Sequence, residues 1–451
     1  MESWIVVLAC AAILSSAQQG WCGYEDKPDK NPNATTEPVL KPGTPSVLQT
    51  QPGEYPYYGN APADMLPYRN IEPYYRYWLT RLPFRGPGRD YAVPTNLTSL
   101  KVGLLSPPPY GPEARRGEMS RKGVMLAFDE ANAARAGQLP FEVIEKADSP
   151  QWGSAANIAV EFADKDVLGF IGTIDGDATH VALRVALKIE TFMVNCSDPD
   201  PTLTETQIPW LMRIFPDNRQ QGYRLASLVV KENGLKKIVV LRTNSRPGRM
   251  GVRPFVDAVR RLGFPVLQEI NFKDGDRNFD TQVAVIKQAE PEAVIFWGNP
   301  AETALAAVQL RAAGVKAAFF GFDRLVDPEF IKLAGPAAEG ATATYFFDPE
   351  KKDAAWTSFQ KRFQTHYGLD PDIYAGYGYD AGRLMIDAIN KAGPNKYRVH
   401  DQLAGLDEYN GVTGHMRFDG RWDNIAPVVA AQCKQGRWQF DPVPAQAASL
   451  K

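Results

Sequence analysis

The residues most able to do chemistry in this 451-residue chain are four aspartates, Asp175, Asp177, Asp198 and Asp323, each placed shortly after an apolar run. Carboxylates in such loops can receive an amine or a hard cation, or work as an acid/base pair. Asp175 and Asp177 are near in sequence, but that spacing says nothing about their separation in space. Asp is also a favoured helix cap and turn former, so a purely local role for both stands beside the binding role. The other catalytic signatures are missing. There is no GxSxG elbow, no P-loop, no GxGxxG and no HExxH; Gly376-Tyr-Gly378 continues with the wrong spacing. His180, His366, His400 and His415 are scattered, and Cys10, Cys22, Cys196 and Cys433 form no CxxC pair. The expectation is a protein without catalysis, cofactor or metal.

The elements that would position these residues read as regular α/β structure from Leu100 onward. Strands are expected at Leu100–Leu105, Phe141–Ile144, Val167–Ile171, Phe192–Asn195, Lys237–Leu241, Ala293–Trp297, Ala317–Phe320 and Ala341–Phe346. Helices with apolar spacing of three and four lie between them. One carries Val252, Val256 and Val259 and stops at Gly263; another carries Leu305, Val308 and Ala312 and stops at Gly314. Each glycine stands where a left-handed residue closes a helix. Near-continuous apolar strands alternating with helices mean parallel sheets covered on both faces, with enough units here for two. Ligands of such sheets sit beyond the carboxyl ends of the strands. That rule selects Ser106 and Tyr110 after the first strand, and Asp175, Gly176 and Asp177 after the third. It selects Cys196 and Asp198 after the fourth, and Asn299 and Asp323 further on.

Composition sets the surroundings. A net charge of −2 with no basic block argues against a nucleic-acid partner. Residues 1–17 read as a secretory signal, with a short apolar run and Ser15-Ser-Ala17 before the cut, so the chain is expected to be exported, periplasmic or otherwise. Gln19-Gly-Trp21 makes Cys22 a poor lipid-anchor site. Residues 18–53 are Pro-, Thr- and Gln-rich and read as a flexible tether. Residues 54–97 crowd Tyr55, Tyr57, Tyr58, Tyr74, Tyr75, Tyr77 and Trp78 among Pro and Arg. Such an aromatic arm either packs on the chain's own lobes or offers a docking surface to a protein partner. A Cys196–Cys433 disulfide is open to an exported chain.

Six segments, in order, resemble the branched-chain amino-acid-binding type of periplasmic solute-binding protein. They are Lys101-Val-Gly-Leu-Leu-Ser106; Arg116-Gly117 with Gly123-Val-Met-Leu-Ala-Phe-Asp-Glu-Ala-Asn132; Val167-Leu-Gly-Phe-Ile-Gly172; Arg213-Ile-Phe-Pro-Asp217; Ala375-Gly-Tyr-Gly-Tyr-Asp-Ala-Gly382; and Asn410-Gly-Val-Thr-Gly414 with Phe418-Asp-Gly420. The resemblance implies two Rossmann-like lobes joined by a three-crossing hinge, the type I periplasmic-binding fold. Lobe one would be 98–217 and 346–410, lobe two 218–345 and 411–440, and 441–451 a tail. It implies a monomeric receptor of an ABC importer that closes over a small solute and is recognised by a membrane permease. A ligand-sensing or accessory binding protein serving an exported enzyme system or a membrane receptor is the alternative, favoured by the aromatic arm.

The departures bear on the ligand. In relatives the loop after the third strand is small and hydroxyl-bearing and cradles a carboxylate; here it holds Asp175 and Asp177, which would repel one. The usual Tyr-Gly of the second lobe resembles Met250-Gly251 here, and Asp323 falls where relatives place the partner of the ligand's ammonium. The expectation is an acidic cleft suited to a cation, amine or polyol rather than leucine.

Overall fold

Leu100-Lys-Val-Gly-Leu-Leu-Ser106 is apolar on both alternating faces, and a strand of that kind must be covered twice. The computed structural model, which describes residues 86–441 apart from Trp152, covers it so. Val102 and Leu104 enter one core, and Leu105 enters another on the opposite face. In chain order this half contains β1 (Leu100–Ser106), α1 (Ala114–Ala133), β2 (Phe141–Ala147), α2 (Ser154–Asp164), β3 (Phe170–Gly172), α3 (Gly176–Ile189), β4 (Met193–Asn195), α4 (Thr202–Glu205) and β5 (Leu211–Arg213). Its five strands lie in the order β2-β1-β3-β4-β5, all parallel.

The chain then crosses through Ile214–Asp217 into α5 (Asn218–Ala226), which runs on as a wider helical turn to Glu232. There follow β6 (Ile238–Thr243), α6 (Arg246–Gly251), α7 (Arg253–Arg261), β7 (Gln268–Phe272), α8 (Asp280–Ala289), β8 (Ala293–Trp297), α9 (Pro300–Ala312), β9 (Ala318–Gly321), α10 (Pro328–Ala334) and β10 (Thr342–Tyr345). The return brings α11 (Ala354–Tyr367), α12 (Ile373–Ala392) and α13 (Lys396–Ala404) back onto the first sheet. A hairpin of β11 (Glu408–Asn410) and β12 (His415–Arg417) comes next, and β13 (Val429–Lys434) and β14 (Arg437–Phe440) complete the second sheet. That sheet runs β14-β13-β10-β9-β8-β6-β7; β13 pairs antiparallel with β10 and with β14, and the rest is parallel. The antiparallel pair and the strands β5 and β7 were not among the strands expected from sequence.

Helices α1 and α12 meet at glycine. A Cβ on Gly123 would stand 2.0 Å from the Ala375 carbonyl oxygen, and one on Gly378 would stand 2.2 Å from that of Ser120. Only glycine permits such an approach, which accounts for Gly378 and, with Ala127 at 2.7 Å from a Cβ there, for Gly382; Gly376 faces Trp356 instead. The expected boundary between residues 410 and 411 falls inside the β11–β12 hairpin, which packs on α12: Asp380 accepts from the Val412 and Thr413 amides at 2.7 and 3.0 Å.

Cys196 and Cys433 are both free and buried in separate apolar clusters, one in each half, so the disulfide is not made. Residues 1–85 and 442–451 carry the expected signal, tether, most of the arm and the tail, and all lie outside the described residues. The described end of the arm is tied to α13. Arg89 forms a two-pronged ion pair with Asp401 at 2.5 and 2.7 Å, and Asn395 donates to the Gly88 carbonyl.

Candidate functional site

The carboxyl ends of both parallel sheets converge on one cleft, and α3 shows how the sequence builds its floor. Asp175 is the N-cap of α3 and accepts the Asp177 amide at 3.0 Å. The first helical residue, Gly176, is buried. A Cβ there would meet Asp200 Oδ2 at 2.6 Å and Arg246 Nε at 3.1 Å. Asp200 and Arg246 therefore lie against the first residue of this helix end, beside the position electrostatically favoured for a ligand carboxylate.

Asp198 is buried and turned inward. The Thr179 hydroxyl lies 2.8 Å from the Asp175 carbonyl oxygen and 2.9 Å from Asp198 Oδ2. A hydroxyl has one proton to give, so one of these contacts needs a donor from the other side. Burial, with the Asp200 carboxylate nearby, holds the Asp198 carboxyl well above the usual range. A protonated Asp198 would supply that donor. Asp200 differs: burial opposes its ionisation, but Arg246 and the hydroxyl and amide of Thr202 outweigh it and hold its carboxyl below the usual range. Arg246 donates to Asp200 Oδ2 at 2.7 Å and to Thr202 Oγ1 at 2.9 Å, and it lies 3.4 Å from Asp177. Arg246 belongs to α6 of the second half; Asp177, Asp200 and Thr202 belong to the first.

A second charged group lies between α1 and the loops after β8 and β9. Arg324 reaches Glu113 at 2.5 Å and donates to Asn299 Oδ1 at 2.6 Å. Glu113, at the N-terminal end of α1, also pairs with Arg116 at 3.2 Å. Burial works against the Glu113 charge, yet the Arg324 and Arg116 guanidiniums hold its carboxyl below its ordinary value. Arg115 pairs with Asp327, the N-cap of α10, at 2.5 Å, and Arg116 stands 4.0 Å from the same carboxylate. Asp323 is buried under this group. It accepts from Gln221 at 2.9 Å and from the Tyr374 hydroxyl at 3.1 Å, and burial raises its carboxyl.

Of the residues selected from sequence, Gly176 and Asp177 stand at the Arg246 group, Asp175 and Asp198 share Thr179, and Asn299 stands at the Arg324 group. Ser106 ends β1 with a buried hydroxyl that makes no hydrogen bond. Tyr110 is 58% exposed on the loop before α1. Cys196 is core, its thiol 3.4 Å from Ser120 Oγ and pushed up by burial. The expected acidic cleft is corrected: its carboxylates alternate with Arg115, Arg116, Arg246 and Arg324, and two of its four aspartates are internal. Sequence reading missed these arginines and Glu113. The signal within reach was that Arg246 and Arg324, like the aspartates, follow strand ends.

Two open-edged α/β halves whose strand ends face one cleft, joined by crossings at 214–217, 346–353 and 418–428, define a two-lobed binding protein of the type I periplasmic fold. Comparison with known proteins agrees: the model of a family described as periplasmic binding protein matches residues 99–437. The chain belongs to that family. A Leu/Ile/Val-binding protein homolog of Brucella abortus is 24% identical over 347 residues, covering 76% of this chain and 92% of the relative. A leucine-, isoleucine-, valine-, threonine- and alanine-binding protein of Pseudomonas aeruginosa is 24% identical over 331 residues, 72% of this chain and 87% of its own. The crystal structure of a leucine-binding protein from Thermotoga maritima superposes with a TM-score of 0.70 at 24% identity, over 77% of this chain and 99% of that one. A solute-binding protein from R. palustris in complex with benzoate gives 0.67 at 21%, over 76% and 95%. At such identities the structural likeness establishes the fold.

Proposed function

We propose that this protein is the exported, non-catalytic solute receptor of an ABC importer, and that its solute is a small polar molecule other than a branched-chain amino acid. One observation carries the second half of that reading. The helix end that would take an amino acid's carboxylate already holds Asp175 as its cap, with the Asp200 carboxylate packed against Gly176 beside it. A leucine carboxylate would have to expel a carboxylate that Arg246 and Thr202 hold in place. Solved structures of similar fold hold chemically different solutes, isoleucine in one and benzoate in another, so the fold leaves the pocket free to vary.

Thermal shift of the purified protein against amino acids, polyamines, polyols and aromatic acids tests this. A true solute at about 100 times its dissociation constant should add roughly 2.7 kcal/mol. Leucine, isoleucine and valine are expected to give no shift; a shift of that size with any of them overturns the assignment.

A sensor or accessory role serving an exported enzyme system is the second reading. It is favoured by the 98 residues that precede the family match, the last of which are pinned to α13 by Arg89 and Asp401.

A further inference from the structure

We infer that the two lobes carry their own latches, so that the cleft closes without a solute. The inference rests on the two-lobed receptor reading above, and concerns what drives closure rather than what is bound.

In a receptor closed only by its solute, the charged groups lining the cleft wait for ligand atoms to pair with. Here they pair with one another across the lobes. Arg246 meets Asp200 and Asp177, Arg324 meets Glu113, and Arg115 and Arg116 meet Asp327. The Tyr374 hydroxyl of lobe one donates to Asp323 of lobe two. These contacts fall in two groups on different elements. One joins α6 to α3 and to the loop before α4. The other joins the start of α1 to the turn after β9 and the cap of α10. Two separated latches fix both the closing angle and the twist of one lobe on the other; a single one would leave a rotation free.

The pairs are also placed where they count. Arg246 has only 22% of its side chain exposed and Asp200 7%, and Arg324 has 7% against 18% for Glu113. Pairs so shielded are screened less by salt than surface ones. Opening the cleft would return these charges to water but would undo several charge-assisted hydrogen bonds together. The closed population is then set by the chain, and a solute shifts it only by what it adds beyond the contacts it displaces. The space above Gly176 makes the same point sterically, because Arg246 and Asp200 occupy it.

Hydrogen exchange on the full-length, solute-free protein tests this, read on peptides covering residues 198–206 and 322–329. In the wild type these peptides should be protected. The double variant Arg246→Ala/Arg324→Ala should exchange them at least about tenfold faster, with β6 and β8 unchanged as the mark of an intact fold. Arg249→Ala, which removes an exposed arginine of the same short helix, should leave them as in the wild type. Should the double variant lose protection in β6 and β8 as well, the single variants Arg246→Ala and Arg324→Ala replace it, and each should speed the peptide of its own latch, 198–206 for the first and 322–329 for the second, with β6 and β8 unchanged. Wild-type peptides that already exchange as fast as the variants' overturn the latch. Latches that behave as expected while no solute shifts the melting temperature would leave the latch standing and remove the importer reading instead.

Discussion

Asp198 and Asp200 sit two residues apart, both buried, with opposite behaviour, and the difference lies in what faces them. Asp200 meets a guanidinium; Asp198 meets a hydroxyl that it shares with the Asp175 carbonyl. A carboxyl held above its unfolded value takes up its proton on folding, so its contribution is full below the unfolded value, about 3.9, and is lost as pH rises through the higher folded one. Asp198→Asn keeps a donor for Thr179 and has no proton to lose. Its stability relative to wild type should therefore climb with pH from about 4 upward, read from urea melts at pH 5 and pH 8; a difference that is flat or falls with pH would show Asp198 to be ionised. Sequence alone offered Asp198 as one more anion of the cleft. It could not show otherwise, because burial and the crossed hydroxyl arise from Thr179, 19 positions away on another element.

At the level of elements, most strands buried on both faces were legible, β5 being the exception, and β2 was legible although it is a sheet edge. β8 was found because each of its five residues is buried, Ile295 and Trp297 against one core, Val294 and Phe296 against the other. β7 was missed because it is the sheet's edge and leaves most of its side chains in solvent, which removes the apolar pattern. β5, like β3 and β4, has three residues, too few for any period; β3 and β4 were read within the longer segments Val167–Ile171 and Phe192–Asn195. Two segments noticed for family likeness alone, around Asp380 and around Thr413, turn out to be one contact. Burial pushes the Asp380 carboxyl up to about 6, and it accepts two backbone amides and the Thr413 hydroxyl at 2.6 Å. Asp380→Ala leaves the Val412 and Thr413 amides buried without an acceptor, which should cost about 2–4 kcal/mol. Thr413→Ala removes one bond and leaves both amides served, so it should cost about 1 kcal/mol. Chemical denaturation of the two variants checks the order; equal losses would mean the hairpin is held by its apolar contacts with α12 instead.

For the whole molecule, the hinge and the cleft use the same residue types for different ends. Arg213, at the end of β5, donates to Asp423 of the third crossing at 2.8 Å and to Asp217 of the first at 3.0 Å. Arg219 of α5 donates to the same two carboxylates, at 2.5 Å to Asp217 and 3.2 Å to Asp423. Thr204 adds its hydroxyl to Asp423 at 2.5 Å. All of these side chains are almost fully buried. Removing one partner of a buried ionic group strands the others without water, typically at 3–5 kcal/mol. Asp423→Ala should therefore lower global stability by about that amount and broaden or split the melt, since it unties two crossings from each other. The cleft arginines stand nearer the surface and bridge bodies that each keep a core of their own. Arg246→Ala should cost clearly less global stability than Asp423→Ala, because an opened cleft returns Asp200 to water, while changing how the lobes meet. Thermal melts of the two variants side by side separate these roles: a large loss for Asp423→Ala with a small one for Arg246→Ala places the fold's integrity in the hinge and its motion in the cleft. Equal losses would mean the lobes depend on the cleft contacts to stay folded, and the molecule would unfold rather than open.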